Sequence, residues 1–189
     1  STPANGIVNF NRYDSLTMGQ ITQVGNQKTS RLGGHGNVSA FYDFNGYNSI
    51  NSSFNFRGFG FDLNGSLDGS ISDPSLGLSD KFTRMNDGNN FFGGFDWNTD
   101  YTRKFENQEG RELSIGVQYS KQNNNQESKI IENHDLELLN RNTTVKNTGV
   151  NHETTLQIDY THPFNKTIKL ETGAKTVIRN IISDYNTQN

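Results

Sequence analysis

Residues 149–179 read GVNHETTLQIDYTHPFNKTIKLETGAKTVIR and contain the clearest β-hairpin pattern in the chain. Apolar residues recur at every second position on both arms, namely at Leu156, Ile158 and Tyr160 and then at Ile168, Leu170 and Ala174. A period of two indicates strands that are apolar on one face. The link between the arms contains Pro163, which suits a turn because proline fixes φ and lacks an N–H donor. We therefore predict a hairpin with one apolar face and one charged face.

The composition of the 189 residues narrows the class of protein. Hydrophobic residues make up only 30% of the chain and the mean hydropathy is -0.81, which leaves little material for a water-excluded core. The 13 Phe, 7 Tyr and 1 Trp nevertheless argue against disorder, because disordered chains are depleted in aromatic residues. A β-barrel with a polar lumen accommodates both observations, since its inner face need not be apolar.

Several function classes are disfavoured by charge and residue usage. The net charge of -3 provides no basic surface for nucleic acid, so no nucleic-acid partner is expected. The chain has no Cys, which excludes disulfides and thiolate chemistry within it. No apolar run of about 18 residues is present, which excludes a transmembrane helix but not a transmembrane strand. No charged and then apolar leader follows Ser1, so we expect a mature form or a piece of a longer protein.

Further segments with a period of two bring the expected number of strands to about six. They are residues 38–44, 50–71, 91–105 and 113–119, followed by the two arms of the hairpin. Asn45-Gly46 predicts a tight turn after the first of these segments. At Arg57-Gly58 the apolar positions change from even to odd numbers, which predicts a β-bulge.

The connections between these segments alternate in predicted length. Short turns are expected near Asn45, Gln108 and Pro163, and long polar loops at residues 1–36, 57–90 and 121–147. This order puts all short turns at one edge of the sheet, with aromatic residues beside them, as in outer-membrane barrels. We therefore predict an all-β chain: one β-barrel segment over residues 1–189, with a polar loop at 1–36 and strand hairpins over 37–189. About six long strands form an antiparallel meander that is part of a transmembrane β-barrel.

A soluble β-sandwich that binds a ligand such as carbohydrate is the alternative. Such a fold also alternates apolar and polar residues, and Trp97 and Tyr101 would then serve as stacking platforms. The length of the segments favours the barrel, because residues 91–105 and 150–160 are long enough for the 9–11 residues of a membrane-crossing strand. Soluble strands most often have about 5–6 residues.

No pattern in the chain indicates catalysis. His35, His134, His152 and His162 lack metal-ligand spacing and are interpreted as surface residues. Asp159 and Glu171 can approach each other across the hairpin, where they are interpreted as lumen or solvent residues. The chain is therefore expected not to be an enzyme, with no catalytic, cofactor-binding or metal-binding residues, and its ligand-binding residues are not identified by the sequence.

The hairpin also resembles a known family. Its segment LQIDYTHPFNKTIKLETGAKTVIRN, together with the upstream FGGFDWNTDYTRKF, is similar to the barrel region of outer-membrane β-barrel proteins related to TonB-dependent receptors. The matching motifs are the Asp-Tyr-x-x-Pro turn at residues 159–163 and the Lys-x-Glu-x-Gly strand at residues 169–173. The resemblance implies a location in the cell outer membrane and a role in the wall of a gated nutrient transporter.

Three departures from that family lead us to expect an internal fragment of a larger barrel. The sequence has no recognisable plug, it ends Tyr185-Asn-Thr-Gln-Asn without a terminal aromatic residue, and six strands are fewer than the eight of the smallest bacterial barrels. The partners implied are outer-membrane lipid, the remainder of the barrel, and an extracellular small molecule or glycan.

Overall fold

A computed structural model describes residues 3–14 and 18–189 of the chain. Over these residues the backbone forms one antiparallel sheet in which every strand pairs with the next in sequence. The strands are β1 (Ala4–Tyr13), β2 (Gln20–Asn45), β3 (Asn48–Asp73), β4 (Leu78–Lys104), β5 (Glu112–His134), β6 (Arg141–Pro163) and β7 (Lys169–Gln188). One turn of 3-10 helix, Glu137–Leu139, lies between β5 and β6. The predicted all-β meander is confirmed. Residues 3–14 and 18–189 form seven strands rather than about six, and within these ranges no second sheet packs on the first as a sandwich requires.

The long polar loops predicted from the sequence are wrong. Residues 57–90 and 121–147 consist mostly of strand, and the region predicted as a polar loop at 1–36 contains β1 and more than half of β2. Residues 1–2 and 15–17 of that last region lie outside the described part. A strand ladder is held by backbone hydrogen bonds, which require no apolar side chains, so polar segments can continue it. The polar segments are therefore the parts of the strands that lie outside an apolar environment, and the strands do not end where these segments begin.

The connections that remain are short and fall at two ends of the sheet. At one end, the turn end, they are residues 46–47, 105–111 and 164–168. At the other, the far end, they include residues 74–77 and 135–140, and Asp14 and Gly19 lie at the same end. Strands of 23 to 27 residues, as in β4 and β5, are about 75–90 Å long at about 3.3 Å per residue. They are more than twice as long as a membrane crossing requires. Among the described residues, no helix is long and apolar enough to span a membrane.

The β-bulge predicted at Arg57-Gly58 is also wrong. The pairing of β3 with β2 and β4 is continuous through these residues, and the register between β2 and β3 shifts between Asp43 and Asn45 instead. The apolar residues change parity because they change face. Phe54 and Phe56 lie on one face of β3, and Phe59 and Phe61 lie on the other.

The register assigns every strand residue to one of two faces. All buried strand residues of the described chain are on the same face, which identifies it as the inner side of a curled sheet. They are Gly25, Asp80, Phe82, Ser120, Glu132 and Thr155. We call this the concave face and the opposite one the convex face. Phe82, 5% exposed, is the buried apolar residue in the described part, so the sheet has no conventional core.

Near the turn end the convex face carries an uncharged apolar band. Three consecutive rows of paired residues form its centre. One row contains Tyr42, Ile50, Tyr101, Ile115, Ile158 and Ala174. The next contains Ala40, Ser52, Thr99, Val117, Leu156 and Thr176, and the third contains Val38, Phe54, Trp97, Tyr119, Thr154 and Ile178. Arg103 and Lys121 lie in the flanking rows, so the uncharged band covers about seven residues of each strand, or nine with the flanking rows included, which is close to the length of a membrane crossing.

The apolar band faces outward. Trp97 is 44% exposed and Ile158 is 49% exposed, so their side chains are not covered by this chain. A contiguous apolar surface of this extent requires a nonpolar environment, and a bilayer supplies one. Aromatic residues also border the band at the turn end, as the sequence predicted. Tyr101 Oη donates to Asn48 Oδ1 at 2.6 Å, and Arg111 Nε donates to Tyr160 Oη at 2.7 Å.

The predicted hairpin of residues 149–179 is present, but its second strand begins after Ile168, which is the first apolar residue of the predicted second arm. Tyr160 lies opposite Thr172, and Ile158 lies opposite Ala174. Ile168 precedes β7, and its carbonyl accepts the N–H of Phe164 at 2.9 Å. Asn165 Oδ1 accepts the N–H groups of Thr167 and Ile168, both at 2.8 Å, which keeps these two residues in the turn. As a result β7 begins at Lys169, one residue later than the predicted arm.

Candidate functional site

The concave face is polar at the level of the apolar band. Adjacent residues of one strand alternate between the faces, so each apolar residue of the band has a polar neighbour pointing inward. Examples on three strands are Asn98 and Asp100, Ser114 and Gln118, and Gln157 and Asp159. A wall with an apolar outer surface and a polar inner surface fits the strand pattern of a membrane barrel.

Above the band, the concave face forms an open trough of about 1230 Å³. Two adjacent rows of paired residues cross it. The first row contains Gly33, Phe59, Phe92, Asn124, Gly149 and Ser183. The second row contains His35, Arg57, Gly94, Gln122, Asn151 and Ile181, of which all but Gly94 are among the lining residues. Six consecutive strands therefore contribute to one surface.

Glycines keep the trough open at this level. A Cβ on Gly33 would lie 2.8 Å from Cδ2 of Phe59, so the Phe59 ring lies over a position where only glycine fits. A Cβ on Gly94 would collide with the carbonyl oxygen of Lys121 on the neighbouring strand. The close approach of these backbones allows the sheet to curve between the apolar band and the extensions beyond it.

The ionisable side chains that line the trough are all basic. Arg31, His35 and Arg57 line it, and no Asp or Glu does. Among the ion pairs of the described residues, none involves Arg31 or Arg57. Two guanidinium groups therefore face the trough without a carboxylate partner.

Amide side chains supply the other polar groups. Gln122, Asn124, Asn147 and Asn151 line the trough from β5 and β6. The Oδ1 atoms of Asn124 and Asn151 are buried and accept no hydrogen bond from the described residues. Buried carbonyl oxygens usually have a hydrogen-bond donor, so these two unpaired oxygens are unusual.

A second polar cluster lies near the far end of the concave face. Asp80 Oδ2 is 2.5 Å from His134 Nδ1, and Asp80 Oδ1 accepts the N–H of Leu136 at 3.0 Å. Glu132 pairs with Arg84 and lies 3.9 Å from His134 Nε2. The hydrogen bond with His134 lowers the pKa of Asp80 below its ordinary value, and the Leu136 N–H adds to this shift while burial opposes it.

Ring contacts cover this cluster. The rings of Phe82 and His134 stack with their centres 5.1 Å apart, and the Arg84 guanidinium lies 5.8 Å from the centre of the Phe82 ring. These ring contacts shield one side of the ion pairs from water, which strengthens the electrostatic interactions within the cluster. The cluster has no nucleophile beside its histidine, and it lies outside the membrane-level segments.

The histidines occupy four different environments. The interpretation of His134 as a surface residue is wrong, because its side chain is only 9% exposed. His35 lines the trough, His152 Nδ1 lies 2.8 Å from Tyr119 Oη on the convex face, and His162 lies beside Tyr160 at the turn end. In the described part of the chain no group of three or more His, Cys, Asp or Glu side chains is placed to hold a metal ion.

Asp159 and Glu171 share the concave face but do not pair with each other. Asp159 Oδ2 accepts a hydrogen bond from Gln157 Nε2 at 2.7 Å, and Glu171 pairs with Lys169 at 2.6 Å. The residues of the Asp80 cluster and most polar residues of the trough lie in segments whose composition predicts loops, so they were not predicted as site residues. The alternation of Leu78, Asp80, Phe82 and Arg84 with Ser79, Lys81 and Thr83 was the available signal.

Comparison with known proteins gives one family match. Residues 103–189 match the sequence model of a family described as outer membrane protein beta-barrel family. These residues contain the turn 105–111, the strands β5 to β7 and both motifs of the hairpin. No curated protein matches the chain.

Two solved structures illustrate how distant the structural likenesses are. FpvA of P. aeruginosa bound to heterologous pyoverdines is 7% identical over 98% of this chain and 37% of its own, with a TM-score of 0.33. The membrane pore complex of pneumolysin is 10% identical over 88% of this chain and 32% of its own, with a TM-score of 0.15. The chain thus spans about a third of the length of either protein, and both TM-scores are too low to indicate a shared fold.

Proposed function

We propose that the chain forms part of the wall of a nutrient transporter of the TonB-dependent-receptor type, and the match of residues 103–189 to an outer-membrane β-barrel family supports this. Its location is the outer membrane. In this proposal the convex face contacts lipid, the concave face lines the lumen, and the remainder of the barrel pairs with the free edges of β1 and β7. The chain has no catalytic role and no nucleic-acid partner.

The apolar band carries the proposal. Three rows without a charged residue run across β2 to β7 on the convex face, and the residues between them point polar groups inward. A soluble protein would leave Trp97 and Ile158 in water, whereas lipid covers them. The strand extensions beyond the band then project from the membrane, where they meet an extracellular small molecule or glycan first.

Single-cysteine labelling in isolated outer membranes tests the assignment of the faces. Val117 and Gln118 are neighbours on opposite faces of β5, and Leu156 and Gln157 are a matched pair on β6. The chain contains no Cys of its own, so each variant adds one thiol to it. A membrane-impermeant methanethiosulfonate should modify Gln118→Cys and Gln157→Cys and leave Val117→Cys and Leu156→Cys unmodified. Equal modification of all four, with the protein in the soluble fraction, would support the soluble binding module instead.

Transport is tested separately in cells. Cells that lack the protein should take up hydrophilic oligosaccharides such as galactotriose or trigalacturonate more slowly than cells that produce it. Equal uptake of both would contradict the transport role while leaving the assignment of the faces intact.

A further inference from the structure

The charge of the trough differs from that of the whole chain. The chain has 20 Asp and Glu residues and 17 Lys and Arg residues, yet the trough is lined by Arg31, Arg57 and His35 and by no Asp or Glu. A concave surface lined by one sign of charge concentrates ions of the opposite sign. The trough therefore favours an anion.

The arginines are available to hold that anion. Elsewhere in the described chain, Arg84 and Arg179 are neutralised by Glu132 and Glu153, whereas no carboxylate pairs with Arg31 or Arg57. A guanidinium presents parallel N–H donors that match the two oxygens of a carboxylate or phosphate. His35 lies directly opposite Arg57 on the neighbouring strand, at a spacing of about 5 Å between Cβ atoms.

The amides indicate that the ligand also carries hydroxyl groups. Gln122, Asn124, Asn147 and Asn151 line the trough, and a side-chain amide can both donate to and accept from a hydroxyl group. These residues lie in neighbouring rows on β5 and β6, across the trough from the arginines on β2 and β3. A ligand that contacts both sides must span several strands.

The size and the apolar part of the trough narrow the ligand further. Its volume of about 1230 Å³ exceeds the range of about 300–1,000 Å³ that is usual for small-molecule sites. Phe59 lies opposite Phe92, whose ring stacks on Phe61 with centres 6.4 Å apart. We propose that the trough binds an anionic, polyhydroxylated molecule of oligosaccharide size, with Arg31 and Arg57 holding its carboxylate or phosphate. This inference rests on the proposed function, because it takes the concave face as the lumen.

Calorimetry on the protein purified from outer membranes in detergent tests the inference with three probes. Trigalacturonate carries carboxylates, glucose 6-phosphate carries a phosphate, and galactotriose is neutral. We expect at least one of the two anions to bind ten-fold or more tightly than galactotriose, and which one binds identifies the anionic group. Its affinity should fall several-fold between 50 and 300 mM NaCl, since the attraction is electrostatic. Binding of galactotriose as tight as that of the anions, an affinity that salt leaves unchanged, or no binding of either anion would overturn the inference.

Matched variants locate the binding groups. Arg57→Gln and Arg31→Gln should each lower the affinity for the anion ten-fold or more, and Arg57→Lys should recover only part of the loss because lysine lacks the fork. Lys175→Gln removes the same charge from the concave face outside the trough and should change the affinity less than two-fold. Circular dichroism and heat-dependent gel mobility verify that each variant is folded. Wild-type affinity in both folded arginine variants would contradict the assignment, and the salt dependence of the wild type decides the matter if neither folds.

The cysteine labelling described above distinguishes a failure of this inference from a failure of the proposed function. If Gln118→Cys and Gln157→Cys react selectively but no anion binds, the inference alone is wrong. If the labelling does not distinguish the faces, the luminal position and the inference are lost together.

Discussion

The carboxylate of Asp80 fastens the β5–β6 connection to β4, because it accepts the N–H of Leu136 at 3.0 Å and holds His134 Nδ1 at 2.5 Å. A further hydrogen bond runs from the N–H of Asp135 to the carbonyl of Lys81 at 2.8 Å. The connection thus has backbone and side-chain attachments to a strand that is not its sequence neighbour. Asp80, which is 2% exposed, is the centre of this attachment.

Replacement of Asp80 should loosen the connection without unfolding the sheet. In Asp80→Ala the Leu136 amide loses its acceptor, so its hydrogen exchange should become faster and the melting temperature should fall. Asp80→Asn keeps an acceptor oxygen and should preserve most of the protection. Asp87→Ala, at an exposed convex position of the same strand, is the control and should leave exchange at Leu136 unchanged. Slow exchange in Asp80→Ala would show that the attachment is not needed.

The far end should be more sensitive to acid than the membrane-level strands. The pKa of Asp80 is lowered, chiefly by His134, and the pKa of Asp73 is lowered, chiefly by the Ser75 hydroxyl. A lowered pKa stabilises the fold above the ordinary carboxyl value, and that contribution is lost as the pH falls through the lowered value. Amides in 74–77 and 135–140 should therefore lose protection below about pH 4, after correction for intrinsic exchange. Asp73→Asn and Asp80→Asn should weaken this dependence, and an unchanged dependence in both would contradict its origin.

The two faces of β4 should respond differently to a charge. Trp97→Arg places a guanidinium in the apolar band and should cost about 2–4 kcal/mol if the site lies at bilayer depth. Asn98→Arg, one residue along on the concave face, should cost much less because its side chain remains hydrated. Refolding titrations into lipid vesicles measure both values. Similar costs would show that the convex face is not in contact with lipid.

The membrane-level part of the fold could be predicted from the sequence, but the extensions could not. At the level of the apolar band, β6 has an apolar convex side and a polar concave side. Apolar residues therefore alternate with polar ones along it, as at Leu156, Ile158 and Tyr160, and this pattern is visible in the sequence. Beyond the band both faces meet water, and a segment such as residues 121–129 can stay in the ladder with almost any polar side chain. Residue types there resemble those of a loop, and only the backbone pairing shows the strand.

The trough and the Asp80 cluster could not be predicted from the sequence for a related reason. Arg57 and Gln122 are 65 residues apart in sequence and meet because Gly94 pairs with both across three strands. Asp80 and His134 are brought together by the same ladder. Such neighbours depend on the register of every intervening strand, which a sequence pattern fixes only where one face is apolar.

The far end should be accessible from outside intact cells. Since 74–77 and 135–140 lie opposite the turns 46–47, 105–111 and 164–168, labels should reach one set and not the other. Ser75→Cys and Glu137→Cys should react with an impermeant maleimide on cells, and Glu109→Cys should react only after lysis. Reaction of Glu109→Cys alone would reverse the orientation, and reaction of all three on intact cells would contradict a membrane-spanning sheet.

The register of the last hairpin can be tested by cross-linking. Tyr160 lies opposite Thr172, and paired strand residues have Cα atoms about 4.5–5.5 Å apart, which is within the range of a disulfide. Tyr160→Cys with Thr172→Cys should therefore cross-link under mild oxidation in the outer membrane, seen as a mobility shift that a reductant reverses. Tyr160→Cys with Ile168→Cys should not, because Ile168 belongs to the turn that Asn165 closes. A one-residue slip would bring Leu156, Ile158 and Tyr160 opposite residues of the charged face, so the register should be unique. Cross-linking of the second pair in preference to the first would show that β7 begins earlier and that the apolar band is displaced by two rows.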